Sequence, residues 1–296
     1  MLPINSILSK IFNQKCYTCL KPLLKNMNFC YAIIKGETLS KLAYGELGKR
    51  TSSDIDILIP RIHLKKIEEV LHQNGFINTQ HSRKDQIIML AGSHQISPWI
   101  KNLSPLGTMM IDLNFDIFWG EYDGKRINIE EFLYDTTEMD IYGVKVQTLP
   151  PVKAIIQLIL HHYKDMNSIF LLATRNSIKY EMFKDVYYLL KINLDTITLD
   201  KFYSLSESYK IIPYVYYMLY YTGQVFEDTV LNKYIDAFRT SKGEELLNYY
   251  GLCAKERKEW KFNFQTRLES DDLYQLIKND LSEKDYEKIA INKRIF

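Results

Sequence analysis

Two aspartates one residue apart, inside a run apolar enough to demand a buried strand, constrain this chain more than any other feature: Asp54-Ile55-Asp56-Ile57-Leu58-Ile59. Side chains alternate across a strand, so Asp54 and Asp56 share one face while Ile55, Ile57 and Ile59 occupy the other. Carboxylates held that close repel and take up protons unless a cation sits between them. With oxygen donors alone, and no nearby His or Cys, the cation that suits them is Mg²⁺.

The residues ahead of the pair read as phosphate-binding machinery. Phe29 to Ile34 is a short strand-like run ending in Lys35-Gly36, and Glu37 to Tyr44 follows with Leu39, Leu42 and Ala43 at helical spacing. A glycine between strand and helix start lets backbone approach a phosphate, and the first N–H groups of the helix are free to bind it. Lys35, Arg50, Ser52 and Ser53 add cationic and hydroxyl donors within the same short segment. Taken singly, each is an ordinary surface or turn residue. What carries weight is their order: strand, glycine, helix, basic loop, then the Asp-x-Asp strand.

The stretch IKGETLSKLAYGELGKRTSSDIDILIP resembles the opening motif of the uncharacterised nucleotidyltransferase family, within the polymerase-β-like nucleotidyltransferase superfamily. That pattern falls on Lys35-Gly36, Leu39, Tyr44-Gly45, Arg50, Ser53, Asp54 and Asp56. The wider superfamily usually has Ser after the glycine, where this chain has Glu37. The resemblance continues more weakly to Thr148 and thins beyond it. It implies a nucleotidyltransferase that moves an NMP from an NTP, ATP first among them, to a hydroxyl on a small molecule, peptide or protein, with release of pyrophosphate. Lys35, the Gly36 backbone, Arg50, Ser52 and Ser53 would bind the β and γ phosphates. Two alternatives stand beside it: a toxin-like transferase acting on tRNA, and a catalytically degenerate module that binds nucleotide or a partner.

The resemblance also implies a third carboxylate from a neighbouring strand. Thr108 to Trp119 reads as that strand, with Ile111, Leu113, Phe115 and Ile117 on an apolar face and Asp112, Asn114 and Asp116 on the other. The family's usual Asp-Leu-His is Asp112-Leu113-Asn114 here. Asp112 is therefore expected to join Asp54 and Asp56 in holding Mg²⁺ or Mn²⁺, with Asp116 as its competitor.

Around these motifs, the pattern predicts a helix over 1–28, and another after Pro60 carrying Leu64, Ile67, Val70 and Leu71 and stopped by Asn74-Gly75. Short strands are expected at 76–80, 86–90 and 95–100, and a hairpin or edge strand over 140–147 turning at Tyr142-Gly143. This is an α+β arrangement, a mixed sheet with helices, over residues 1–148. From Leu149-Pro150-Pro151 a helical period takes over in Val152, Ile155, Ile156, Ile159, Leu160 and Tyr163. Further helices at 168–176, 180–191, 198–209, 211–221, 227–239 and 243–254 make 149–296 an all-helical accessory domain for substrate binding. Tyr214, Tyr216, Tyr217, Tyr220 and Tyr221 read as amphipathic core lining.

At 296 residues and 46% hydrophobic, the chain can bury one large or two moderate cores, and two domains is the better expectation. A net charge of +2 gives no global polyanion-binding signature, so any nucleic-acid role would depend on a local patch, and the NTP and small-molecule or peptide acceptor that the resemblance implies are favoured over nucleic acid. No apolar run reaches membrane-spanning length, the N-terminus lacks a complete signal peptide, and the few cysteines fit a reducing compartment, which together predict a cytoplasmic protein without a membrane partner. Cys16-Tyr17-Thr18-Cys19 has no second pair at zinc spacing, so no zinc is expected. On a helix His161 and His162 point apart, one buried and one exposed, without a shared ion. Lys255 to Lys261, with Trp260, is basic and aromatic, but Glu256 and Glu259 interleave it and favour a solvated segment.

Overall fold

The computed structural model describes residues 4–50, 52, 54–79, 82–118, 126–174 and 178–295, with side chains from Ile7 onward. These form two compact units, one from the described residues up to Ile117 together with 126–154, the other from Phe118 together with the described residues from Ile155 onward.

The first unit runs α1 (Ile4–Lys25), β1 (Ala32–Ile34), α2 (Gly36–Tyr44), β2 (Ile55–Leu58), α3 (Leu64–Gln73), β3 (Ile77–Asn78), α4 (Arg83–Gly92), β4 (Trp99–Asn102), β5 (Thr108–Asn114), α5 (Ile129–Phe132), β6 (Thr137–Ile141) and β7 (Val144–Thr148). Its strands make one seven-stranded mixed sheet in the order β3-β4-β5-β2-β1-β7-β6. The alternation in the sequence decides which face is buried in the core. Ile55, Ile57 and Ile59 join Met109, Ile111, Leu113 and Phe115 in one apolar cluster with Tyr17, Leu20 and Leu23 of α1 and Leu64, Ile67, Val70 and Leu71 of α3. That leaves Asp56, Asp112 and Asn114 together on the opposite face.

Two expectations differ from the structure here. Residues 86–90 lie inside helix α4, not a strand: Ser82 caps it, accepting from the Asp85 N–H at 3.1 Å and donating to the Asp85 carboxylate at 2.7 Å. That local capping exchange outweighs a short apolar run. Strand β5 stops at Asn114 instead of reaching Trp119, because the N–H groups of Phe115 and Asp116 turn to the His94 carbonyl. The hairpin appears as β6 and β7, turning at Tyr142 and Gly143, both at positive φ. Cys16 lies in α1 within the apolar cluster, its thiol pushed up to about 12 by burial.

The second unit is helical. It comprises most of α6 (Pro151–Asn167), then α7 (Ile169–Thr174), α8 (Tyr180–Ile192), α9 (Leu199–Ser208), α10 (Ile212–Val225), α11 (Thr229–Phe238), α12 (Ser241–Leu246), β8 (Tyr249–Tyr250), β9 (Lys258–Glu259), α13 (Phe264–Glu269), α14 (Leu273–Ile277) and α15 (Glu283–Ile295). The helix expected over 243–254 ends at Leu246, and β8 pairs with β9 instead. Gly251 makes that turn at φ +99°, where a Cβ would come within 2.5 Å of the Glu256 carbonyl. Tyr214, Tyr216, Tyr217 and Tyr221 are buried in α10. The basic stretch is tied internally: Arg257 to Glu245 at 2.7 Å, Lys258 to Asp285 at 3.0 Å, Lys261 to Asp280 and Glu256 to Lys288. Trp260 packs on Tyr250 and beneath the Arg267 guanidinium. Among the described residues no helix is long and apolar enough to cross a membrane.

Candidate active site

Strand pairing brings the acidic residues together. β2 runs parallel to β5 with Asp56 directly opposite Asp112, and antiparallel to β1 with Asp56 opposite Ile34. Side chains of paired residues on one face stand side by side, so the two carboxylates share one patch. Asp54 lies one residue ahead of β2, near enough for its charge to act on Asp112.

The turn after β1 closes over this patch. Lys35 has φ +60° and ψ −154°, and Gly36 follows at φ +47°. Gly36 opens α2, whose first N–H groups have no partner within the helix. A Cβ built on Gly36 would lie 3.6 Å from Ser52, so the glycine turn packs against the segment that leads into Asp54. Ser52 Oγ donates to Asp54 Oδ1 at 2.8 Å. Lys35 Nζ pairs with Asp56 Oδ1 at 2.8 Å, and Asn114 Nδ2 donates to the same oxygen at 3.1 Å.

Charge in the patch is unbalanced. Asp112 is buried, and its Oδ1 accepts no hydrogen bond from a described residue. Its carboxyl is pushed up to about 7, first by burial, then by the nearby charges of Asp56 and Asp54, with Lys35 pulling the other way. With Asp112 ionised, these three carboxylates against the Lys35 ammonium leave two negative charges, and the Asp112 oxygen lacks a described donor, so the donor set fits a hard divalent cation.

Two residues to which the sequence pattern assigned no role organise the loop after α2. Buried Glu37 accepts from Asn13 Nδ2 at 2.7 Å, Tyr142 OH at 2.8 Å and the Gly48 N–H at 2.7 Å. Ser40 Oγ accepts from the N–H groups of Lys49 at 2.9 Å and Arg50 at 3.2 Å. The Arg50 backbone is thereby held at the end of the loop. Asn114 is the third residue to which the sequence assigned no role, although its place on the Asp112 face of β5 and at the position of the family's usual His both marked it. Glu37 stood out only as a departure from the superfamily's Ser, since an acid in the first turn of a helix otherwise looks like an ordinary dipole partner.

Ser53 lies outside the described residues. Asp116 falls past the end of β5, where Arg126 pairs with its Oδ2 and the Ile117 N–H donates to its Oδ1 at 2.8 Å. In the helical unit, His161, His162 and Asp165 do approach: one donor atom of each lies within 4.8 Å of the others, closer than adjacent helical residues were expected to come. His162 is buried and His161 half-buried. Lys164 Nζ sits 3.4 Å from both His161 Nδ1 and Asp165 Oδ1, so an ammonium already stands as cation in that group.

The described residues thus form a seven-stranded mixed sheet with helices, followed by a helical region. Residues 12–227 match the model of the uncharacterised nucleotidyltransferase family, well over half of the chain, and the chain belongs to that family. Among solved structures, the antibiotic-resistance factor ANT(2'')-Ia, described as having substrate-regulated conformation dynamics, aligns with a TM-score of 0.42 at 12% identity over 68% of this chain and 92% of its own. An antigenic nucleotidyltransferase-like protein from Paracoccidioides brasiliensis aligns with a TM-score of 0.39 at 16% identity over 76% of this chain and 92% of its own. No curated protein matches.

Proposed function

We propose that this family member is a Mg²⁺-dependent nucleotidyltransferase that moves an NMP from an NTP, ATP first among them, to an acceptor hydroxyl on a small molecule, peptide or protein, releasing pyrophosphate. The single observation that carries it is the β2–β5 register: Asp112 lies level with Asp56, with a buried oxygen that no described donor satisfies. Asp54, Asp56 and Asp112 would hold Mg²⁺ or Mn²⁺, which when bound supplies charge neutralisation for the triphosphate and a lowered pKa for the acceptor hydroxyl. Asn114 orients Asp56 by its hydrogen bond.

Lys35, the Gly36 backbone, Arg50, Ser52 and Ser53 bind the β and γ phosphates, and the first turn of α2 adds backbone donors. Fixing the triphosphate at that end lines up the α-phosphorus for in-line attack by the acceptor hydroxyl, an entropic contribution. The residues of 1–148 form the catalytic domain and those of 149–296 the accessory domain for the acceptor. The test is transfer of label from α-³²P-labelled, but not γ-³²P-labelled, NTPs onto a panel of hydroxyl-bearing small molecules, peptides and proteins, with pyrophosphate released in equal amount. A protein that binds NTP with metal yet transfers no α-label to any of them would be a binding module.

A further inference from the structure

Lys35 is odd in two independent ways. Its backbone, at φ +60° and ψ −154°, occupies a region that glycine alone enters without strain, and such outliers persist at functional sites. Its ammonium points into the carboxylate patch, 2.8 Å from Asp56 Oδ1, with the two side chains 11% and 4% exposed. The backbone is clamped there, because the Lys35 carbonyl accepts from Thr38 Oγ1 at 2.7 Å and from the Leu39 N–H at 3.1 Å. Only the flexible four-carbon stem is free to move.

We infer that Lys35 is a displaceable counter-ion: its ammonium holds the cation's place on Asp56 in the metal-free protein, leaves when a divalent cation binds, and moves to the triphosphate. This rests on the proposed nucleotidyltransferase function. A lysine devoted to phosphate alone would have no need of a buried carboxylate partner, and a permanent ion pair would block one oxygen of the ligand set. Asn114, neutral and bonded to the same oxygen at 3.1 Å, keeps Asp56 in place when the ammonium departs. A single positive charge cannot balance the three carboxylates, so a dication outcompetes it. The consequence is coupling. Metal alone must break the Lys35–Asp56 pair, whereas metal with nucleotide breaks it and gains a lysine–phosphate pair, so each ligand strengthens the other.

The test is calorimetric titration of Mn²⁺ into the full chain, alone and with a non-hydrolysable NTP, for the parent, Lys35→Met, Lys35→Gly and Asp56→Asn. Lys35→Gly suits the backbone conformation and decides the matter if Lys35→Met does not fold. Loss of a charged hydrogen bond on Asp56 should tighten Mn²⁺ binding about tenfold without nucleotide, while binding of the Mn²⁺–NTP complex weakens by about the same factor. These opposite signs are the signature. A parent that binds Mn²⁺ through Asp56, with lysine variants that bind Mn²⁺ no tighter, overturns this inference and leaves the proposed function standing. A parent that binds no Mn²⁺ with or without nucleotide overturns both.

Discussion

Asp112→Asn should make the metal-free protein more stable, and only at neutral to alkaline pH. The Asp112 carboxyl is held at about 7 against an ordinary value of 3.8. With its folded value above its unfolded one, the group's contribution to stability is fully present below 3.8 and is lost as pH rises through about 7. At 1.36 kcal/mol per pH unit, that gap corresponds to roughly 4 kcal/mol of ionisation cost in the folded state. Asn keeps the shape and never ionises, but its amide N–H₂ must find acceptors in a buried patch at any pH, which leaves about 2–4 kcal/mol of net stabilisation at pH 8.5 and, at pH 4, a change between none and about 2 kcal/mol of destabilisation. Thermal unfolding followed by circular dichroism in EDTA at the two pH values measures it, the gain at pH 8.5 being about 5–15 °C. Saturating Mg²⁺ should shrink or reverse the difference, since an ionised Asp112 is what the cation needs. A variant less stable than the parent at pH 8.5, or a difference that ignores pH, would refute the electrostatic argument.

Further outcomes follow from particular contacts. Glu37→Ala strips three donors of their buried acceptor and should cost about 3 kcal/mol by thermal unfolding; by loosening the loop that ends at Arg50, it should also weaken nucleotide binding while leaving Mn²⁺ affinity unchanged. Asp116→Asn removes a pair whose arginine is 39% exposed, so it should cost about 1 kcal/mol or less and leave a measurable fraction of α-label transfer. Asp112→Asn should lose transfer altogether, and the reverse ranking in that assay would mean that Asp116 is the third ligand.

Much of the fold was legible because alternation is a local signal with a global consequence. The apolar odd positions of β2 and β5 specify which face meets α1 and α3, and the aspartates then have one face left. Register is another matter. Nothing in the sequence sets Asp112 opposite Asp56 instead of two residues away, and that pairing depends on how β5 is bracketed by β4 on one side and β2 on the other. The segment at 86–90 misled because Ile87 and Ile88 look strand-like, while the helix signal lay outside the apolar run, in the Ser82–Asp85 cap. Residues 247–254 misled because a helical period ran on past Leu246 into a turn that only Gly251 marks. The role of Glu37 was invisible for a different reason: its three partners come from α1, the loop after α2 and the β6–β7 turn, and no window of sequence contains them together.

The proposed chemistry stands or falls most directly on whether the carboxylate patch makes nucleotide binding metal-dependent. An anionic patch of Asp54, Asp56 and Asp112 repels a bare triphosphate and accepts one accompanied by a divalent cation. The decisive measurement is calorimetric titration of ATP into the full chain with Mg²⁺ and with EDTA, repeated on Asp56→Asn. Binding that appears with Mg²⁺, vanishes in EDTA and is lost in Asp56→Asn, with the variant still folded, is the expected result; equal affinity in EDTA, or full affinity in Asp56→Asn, would contradict it.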